Sequence, residues 1–223
     1  MDKHIENTLT AAIQAYEKAA SITETGFFEK LKAVFDQELV YLEKVDLLDE
    51  VFDDAPAYEA IREVIFDLLL MNFFAADVEK LEEDYLESAE WEQIEEQTVD
   101  RGTELLNLLL YIRECIDDEI EPSLDDFLKE FLLVDEDEFQ DEYRIYEPML
   151  SNPLLVESNY EEIGRIAAGL DPEQELADLF YPMMSFFMEP KPTATQFETY
   201  TAASTEPAFD AAVYSIAISY NQN

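Results

Sequence analysis

The acidic residues of this chain limit how it can fold and what it can bind. Asp and Glu number 54 against 13 Lys and Arg, which gives a formal net charge of -41 over 223 residues. Like charges repel one another in a compact state, so a folded form needs a strong apolar core. Apolar residues make up 48% of the chain and aromatic residues 13%. The composition therefore allows a sizeable core and is unlike that of an acidic disordered segment.

The spacing of the apolar residues predicts helices along nearly the whole chain. Residues three and four positions apart repeat as they do in an amphipathic helix, and the four glycines are too few for many tight turns. Asp171 and Pro172 are typical of a helix start. We therefore expect an all-α fold, an irregular multi-helix bundle, with helices near 3–20, 27–42, 61–69, 77–100, 105–116, 123–133, 137–147, 159–168 and 173–187.

The end of the chain differs from the rest in charge and in pattern. We expect an acidic helical domain over residues 1–189 and a less charged C-terminal arm over 190–223 that packs on it. Tyr214, Ile216 and Ile218 alternate with small residues as in a strand. A helical face also fits, however, with Thr205 and Pro207 before it and with Phe209, Val213, Ile216 and Tyr220 on it. The arm is thus a helix or a short hairpin, and we favour the helix.

Composition also excludes several classes of partner and predicts a compartment. Phosphate binding requires Lys and Arg to displace counterions, so we expect no direct binding to nucleic acid. The anionic surface of a bilayer repels such a chain, and its longest apolar stretches are too short to span a membrane. The first residues lack the apolar core of a signal peptide. We therefore expect a soluble cytoplasmic protein that does not bind membranes.

No motif for nucleophilic catalysis or for a cofactor is present in the sequence. The single histidine, His4, lies in an N-terminal turn, and Cys115, the single cysteine, lies on or beside the apolar stripe of a predicted helix. A thiol in apolar surroundings has a raised pKa and is a poor nucleophile. Glycine-rich phosphate-binding loops are missing. We expect no enzyme activity and no cofactor.

The many carboxylates do not match a known metal-binding pattern. A di-iron bundle needs histidines that this chain lacks. The segment 135–146 begins like a calcium loop, but Phe139, Gln140 and Tyr146 occupy positions that calcium loops fill with a ligand, a glycine and a glutamate. We expect no dedicated metal site. The alternative that stays open is a carboxylate-based enzyme or a divalent-cation-binding protein whose site the sequence does not show.

The acidity is concentrated in the middle of the chain. Residues 43–147 hold 36 acidic and 7 basic residues, and residues 77–104 hold twelve acidic residues against Lys80 and Arg101. A single helix over 77–104 would be about 42 Å long. It would then carry one carboxylate per roughly 3.5 Å, close to the phosphate spacing of a DNA strand. Such density suits a protein that imitates nucleic acid or neutralises a basic protein, although a solvated helix face has the same composition.

These observations lead to one functional hypothesis. We expect a non-enzymatic interaction protein that binds the basic surface of a protein partner, as an inhibitor, an immunity protein or a nucleic-acid mimic would. A rival docking site is the Met- and Phe-rich segment 179–188, for which core packing is the simpler interpretation. The sequence does not indicate an oligomeric state. The residues expected to contact the partner are Glu79, Glu83, Glu87, Asp117, Asp118 and Glu121.

Overall fold

Helices form nearly all of the regular structure. The computed structural model describes residues 1–22, 24–76, 83–131, 133–135, 138–139 and 145–222. A short antiparallel hairpin joins β1 (Leu133–Asp135) and β2 (Glu138–Phe139) with an irregular register. The helices are α1 (Lys3–Ala20), α2 (Phe27–Asp36), α3 (Tyr41–Asp53), α4 (Arg62–Ala76), α5 (Glu83–Leu86), α6 (Ala89–Thr98), α7 (Leu105–Asp117), α8 (Leu124–Asp126), α9 (Glu147–Leu150), α10 (Tyr160–Ala167), α11 (Ala177–Met188), α12 (Ala194–Ala203) and α13 (Pro207–Gln222).

Three further turns complete the described structure: 3₁₀ turns at Pro56–Ile61 and Pro153–Glu157, and a π-helical turn at Phe127–Phe131. The all-α fold expected from the apolar spacing is therefore confirmed. Among the described residues, no helix combines the length and the apolar character required to cross a bilayer.

The first and last helices form the most extensive helix pair of the core. The ring of His4, near the start of α1, stacks on Tyr220, near the end of α13, with 4.4 Å between ring centroids. Ala15 of α1 and Ala211 of α13 line a common surface cavity at the other end. The two helices are therefore antiparallel. Small buried residues such as Ala12 and Ala212 allow their backbones to approach closely.

The C-terminal segment is a helix, and its burial explains why its pattern was ambiguous. Every residue from 210 to 217 in α13 is buried, because α1, α7, α11 and α12 surround this helix. A helix that is apolar on all sides has no clear period, so it also fits the alternation of a strand. The domain boundary after residue 189 stays a prediction. Buried side chains from both sides of it belong to one apolar cluster.

The predicted helix over 27–42 is wrong, because the chain is extended between α2 and α3. Val40 is 64% exposed although the apolar spacing had placed this stretch in a continuous helix. The Lys44 ammonium donates a hydrogen bond to the carbonyl of Phe35 at 2.9 Å. That contact satisfies one of the last carbonyls of α2, which would otherwise lack a partner.

The predicted helix over 77–100 is also wrong in its extent. Residues 77–82 lie outside the described residues, and α5 ends at Leu86. Ser88 then starts a separate helix, since its hydroxyl accepts a hydrogen bond from the backbone N–H of Trp91 at 3.2 Å. The continuous rod of carboxylates considered for a DNA mimic therefore does not form over 77–104.

Further boundaries differ from the sequence prediction, and two helices of ten or more residues, α3 and α12, were not predicted. The helix expected over 123–133 ends by 131, and β2 lies where a helix was expected over 137–147. The helix expected from 173 starts at Ala177, because the Asp171 carboxylate accepts from the backbone N–H of Glu173 at 3.1 Å and closes a turn. The sequence analysis missed α12, whose start is fixed by reciprocal hydrogen bonds between Thr193 and Gln196.

The Met- and Phe-rich segment 179–188 forms most of α11 and fills the core. Its side chains up to Phe186 are buried, including those of Met183 and Met184. A docking groove in this segment would require these groups on the surface. Core packing is therefore the role that the structure gives them.

Candidate functional site

The residues expected to bind a partner are placed in two groups. Glu79 lies outside the described residues, and Glu83 is the first residue of α5. Glu87 is exposed between α5 and α6. Asp117 ends α7, Asp118 caps it, and Glu121 follows in the loop before α8. Among the described residues, no hydrogen bond, ion pair or ring contact joins Glu87 to the second group.

The second group of expected contacts lies close to cations of the protein itself. The carboxylate of Glu121 lies 3.5 Å from the Lys191 ammonium. The carboxylate of Asp117 lies 3.9 Å from the Arg113 guanidinium. Both pairs are solvent-exposed on the carboxylate side, so each contributes little to stability. They nevertheless reduce the negative charge that this group presents to a partner.

The helix α6 presents a larger set of exposed carboxylates than either expected group. It packs on the protein through a narrow stripe, in which Ile94 is buried and Trp91 and Thr98 are half-buried. The rest of the helix faces solvent. Its exposed acidic residues are Glu90, Glu92, Glu95 and Glu96, and we call these four side chains the α6 carboxylates.

No described cation neutralises the α6 carboxylates. Within the part of the chain that the structure describes, the ion pairs of Lys and Arg involve residues of other segments. Glu92 and Glu96 are also four residues apart on one helix face, where like charges destabilise a helix by about 0.2–0.5 kcal/mol. A cationic partner would relieve this repulsion.

Beneath α6, the cation Arg101 is held by two acidic residues. Its Nε donates to both carboxylate oxygens of Glu63, at 3.1 and 3.0 Å, and its Nη1 donates to Asp49 at 2.8 Å. The guanidinium also lies over the ring of Phe66, 4.8 Å from the centroid. The remaining nitrogen, Nη2, is buried and has no hydrogen-bond partner among the described residues.

Asp67 is a buried carboxylate next to this ion-pair network. It accepts hydrogen bonds from the backbone N–H of Thr103 at 3.0 Å and from the Thr103 hydroxyl at 2.6 Å. Burial raises the pKa of Asp67 to about 8, and the nearby carboxylates of Glu63 and Glu104 act in the same direction. The two hydrogen bonds from Thr103 oppose this shift but do not cancel it. Asp67 therefore changes charge close to neutral pH.

The helices α4 and α7 meet at this cluster and run parallel. Glu63 contacts Arg101, Asp67 contacts Thr103, and Leu70 shares a cavity wall with Leu106. The pairs advance in the same direction along α4 and along the segment that leads into α7. The short segment of Arg101, Gly102 and Thr103 that leads into α7 thus lies against the first turns of α4.

An open cavity of about 370 Å³ lies between α6 and this cluster. Its apolar wall includes Trp91, and Val99 lies at its edge with 78% of its surface exposed. Glu95 of the α6 carboxylates also lines it. We call it the α6 cavity, and its lining residues are Phe66, Asp67, Leu70, Trp91, Glu95, Thr98, Val99, Arg101, Gly102, Thr103 and Leu106.

A second cavity, of about 240 Å³, contains the other buried carboxylate with a strongly raised pKa. Asp210 accepts a hydrogen bond from the Ser204 hydroxyl, and burial raises its pKa to about 7. Asp178 and Glu206 also line this cavity. Among the described residues, no three of His, Cys, Asp and Glu are placed to hold one metal ion.

The single histidine and the single cysteine are both packed against other parts of the protein. His4 lies with its Nε2 2.5 Å from the carbonyl oxygen of Tyr220, on whose ring it stacks. The thiol of Cys115 is 1% exposed, and burial raises its pKa. A buried thiol with a raised pKa is inert as a nucleophile.

The ion-pair network around Arg101 gives a first testable prediction. We expect Arg101→Gln to lower the free energy of unfolding by about 2 kcal/mol, because Glu63 then keeps a partly buried charge without this cation and Asp49 loses one of its two partners, Arg101 and Arg62. Urea unfolding followed by circular dichroism measures the change. The matched control is Arg165→Gln, which removes a solvent-exposed pair with Glu162 and should have a much smaller effect. Equal losses in the two variants would contradict the prediction.

Sequence reasoning missed the cluster around Asp67. One signal was available, since Asp67 interrupts an apolar stretch whose neighbours are all buried. A charged residue in such a stretch requires a polar partner in the interior. The sequence did not identify that partner as Thr103, 36 residues away.

Comparison with protein-family models, with curated proteins and with solved structures found no match for the chain. The ligand chemistry of the α6 cavity therefore follows from its own contacts.

Proposed function

We propose that this chain is a non-enzymatic interaction protein that binds the basic surface of a protein partner, with α6 at the centre of the contact. The observation that supports this most directly is the set of four exposed α6 carboxylates without a described cation. Inhibitors, immunity proteins and nucleic-acid mimics that bind a basic surface all require exposed carboxylates of this kind. The proposed contact set keeps Glu87, which precedes α6.

The density of charge favours binding over solvation as the role of this surface. A net charge of magnitude about 2 to 8 keeps a small domain soluble, whereas this chain carries -41. The excess raises repulsion within the folded state. A dense patch of one sign also attracts oppositely charged proteins and accelerates their association, most strongly at low ionic strength.

A second candidate function rests on the cavity at Asp210. Its carboxyl is buried with a pKa near 7, whereas Asp178 of the same cavity is exposed. Two carboxyls in unequal surroundings are the arrangement that general acid–base catalysis uses. This observation favours the alternative of a carboxylate-based enzyme, and the Ser204 hydroxyl lies against the Asp210 carboxylate.

The proposed function predicts a site-specific effect on association rate. Changing the four α6 carboxylates together to Gln should slow binding of a labelled Lys- and Arg-rich peptide about fivefold at an ionic strength of about 0.01 M, because steering is weakly screened there. Stopped-flow fluorescence anisotropy measures the rate. The difference should shrink at about 0.15 M salt.

A charge-matched control separates this site from the charge of the whole chain. Glu29, Glu50, Glu173 and Glu175 are exposed acidic residues far along the chain from α6. Changing these four to Gln gives the same net charge and should slow association much less. Equal slowing in both variants would show that only total charge matters, and the proposal for α6 would be wrong.

A third variant tests the second group of residues that the sequence predicted. Changing Asp117 and Asp118 to Asn and Glu121 to Gln neutralises the second group of expected contacts. A slowing that matches the α6 variant would extend the contact surface to the end of α7. An unchanged rate would restrict it to the α6 side of the molecule.

A further inference from the structure

The walls of the α6 cavity are suited to an apolar group. Phe66, Leu70, Trp91, Val99 and Leu106 supply its apolar surface. Its polar lining is largely occupied within the protein: Asp67 accepts from Thr103, and Arg101 pairs with Glu63 and Asp49. A polar ligand would have to compete with these contacts, whereas an apolar side chain would not.

The mouth of the cavity is acidic, whereas its interior is apolar. Val99, at 78% exposure, shows that the apolar wall reaches the surface. Glu95 lines the cavity, and Glu92 and Glu96 are exposed on the same helix. An anionic lipid or fatty acid would be repelled at this mouth, whereas a segment with Lys or Arg beside an apolar residue would complement both the rim and the interior.

We propose that the α6 cavity holds one apolar side chain, of leucine to phenylalanine size, from a Lys- and Arg-rich segment of the protein partner. This inference rests on the proposed function and adds an anchor to it. A single buried side chain in a pocket, surrounded by a polar rim, is the usual arrangement of an interface hot spot. The basic neighbours of the anchor meet the α6 carboxylates.

The chain carries its own reporter for this test. Trp91 is the single tryptophan and lines the cavity, so its emission responds to an occupant. Two Lys-rich peptides of equal charge are titrated, one with a central Leu and one with Ala in its place. We expect the Leu peptide to bind about tenfold more tightly and to shift the Trp91 emission, while the Ala peptide leaves the emission unchanged.

A pair of variants on one helix tests the location. Leu106→Phe fills the cavity and should abolish the advantage of the Leu peptide, while Leu110→Phe enlarges a half-buried residue of α7 that does not line the cavity and should preserve it. If Leu106→Phe fails to fold, Val99→Gln serves instead. Because Val99 is exposed, folding should be retained while the advantage falls about threefold.

The outcomes distinguish the anchor from the proposed function. Equal binding of both peptides, with strong salt dependence, overturns the anchor and leaves the proposed function standing. Weak binding of both without salt dependence overturns both. An advantage of the Leu peptide that survives in Leu106→Phe also overturns the anchor site. The anchor is also overturned if N-acetyl-leucinamide alone shifts the Trp91 emission to the same extent, because the cavity would then be a small-molecule pocket. It is overturned as well if the emission shift follows dimerisation of the protein.

Discussion

Replacing Gly102 by alanine is expected to lower the free energy of unfolding by about 3 kcal/mol. The backbone at Gly102 has a φ of +83°, and an added Cβ would lie 2.7 Å from the Asp67 carboxylate. The substitution therefore adds backbone strain and also displaces Asp67 from the hydrogen bonds of Thr103. Urea unfolding at constant pH measures the loss.

Gly26 supplies a matched control for the backbone contribution. Its φ of +96° is similar, but nothing lies within 4 Å of an added Cβ. Gly26→Ala should therefore lower the free energy of unfolding by only about 1 kcal/mol, from backbone strain alone. Equal losses at the two positions would mean that the contact with Asp67 does not contribute.

Some helices with one buried face and one exposed face could be predicted from the sequence, whereas α3, which has the same character, was missed. The apolar spacing of 105–116 matches α7 because that helix packs on α4 and α13 and faces solvent elsewhere. The pattern failed at 37–40, where exposed Leu39 and Val40 continue the apolar spacing without helical backbone. Lys44 donates to a carbonyl of α2 from the far side of this break, and periodicity does not predict such a contact.

The candidate site was less accessible to sequence reasoning than the fold. Charge counts placed the acidity in the middle of the chain, and α6 lies there. The cluster below it depends on contacts between distant residues, since Arg101 pairs with Glu63 and with Asp49, 38 and 52 residues away. Composition cannot show which of 54 acidic residues becomes buried, and only the packing of α4 against the start of α7 selects Asp67.

The stability of the protein is expected to fall as pH rises from about 4 to about 8, and Asp67 is a principal cause. Its pKa is about 8 in the folded state against an ordinary value of 3.8. Between these two values the folded state binds more protons than the unfolded state, so ionisation favours unfolding. The stabilisation that protonated Asp67 provides is fully present below pH 4 and is lost as the pH rises through 8. One such group changes the free energy of unfolding by up to about 1.4 kcal/mol per pH unit.

Asp67→Asn isolates this contribution, because the amide has nearly the same shape and does not ionise. We expect the variant to gain about 3 to 4 kcal/mol relative to the parent protein between pH 5 and pH 9. Unfolding by urea is the appropriate measurement, since guanidinium is a salt and would screen the charges of the chain.

Asp210→Asn should also become more stable than the parent protein as pH rises. The difference should level off at a lower pH than for Asp67→Asn, because burial raises the pKa of Asp210 to about 7. Its advantage over the parent protein should stop growing about one pH unit below that of Asp67→Asn. The general repulsion among the other carboxylates also varies with pH, but it is nearly common to both variants and to the parent protein, so it largely cancels in the differences. A stability difference for Asp67→Asn that stays constant from pH 5 to pH 9 would show that the Asp67 carboxyl is ionised throughout, with its hydrogen bonds from Thr103 outweighing its burial.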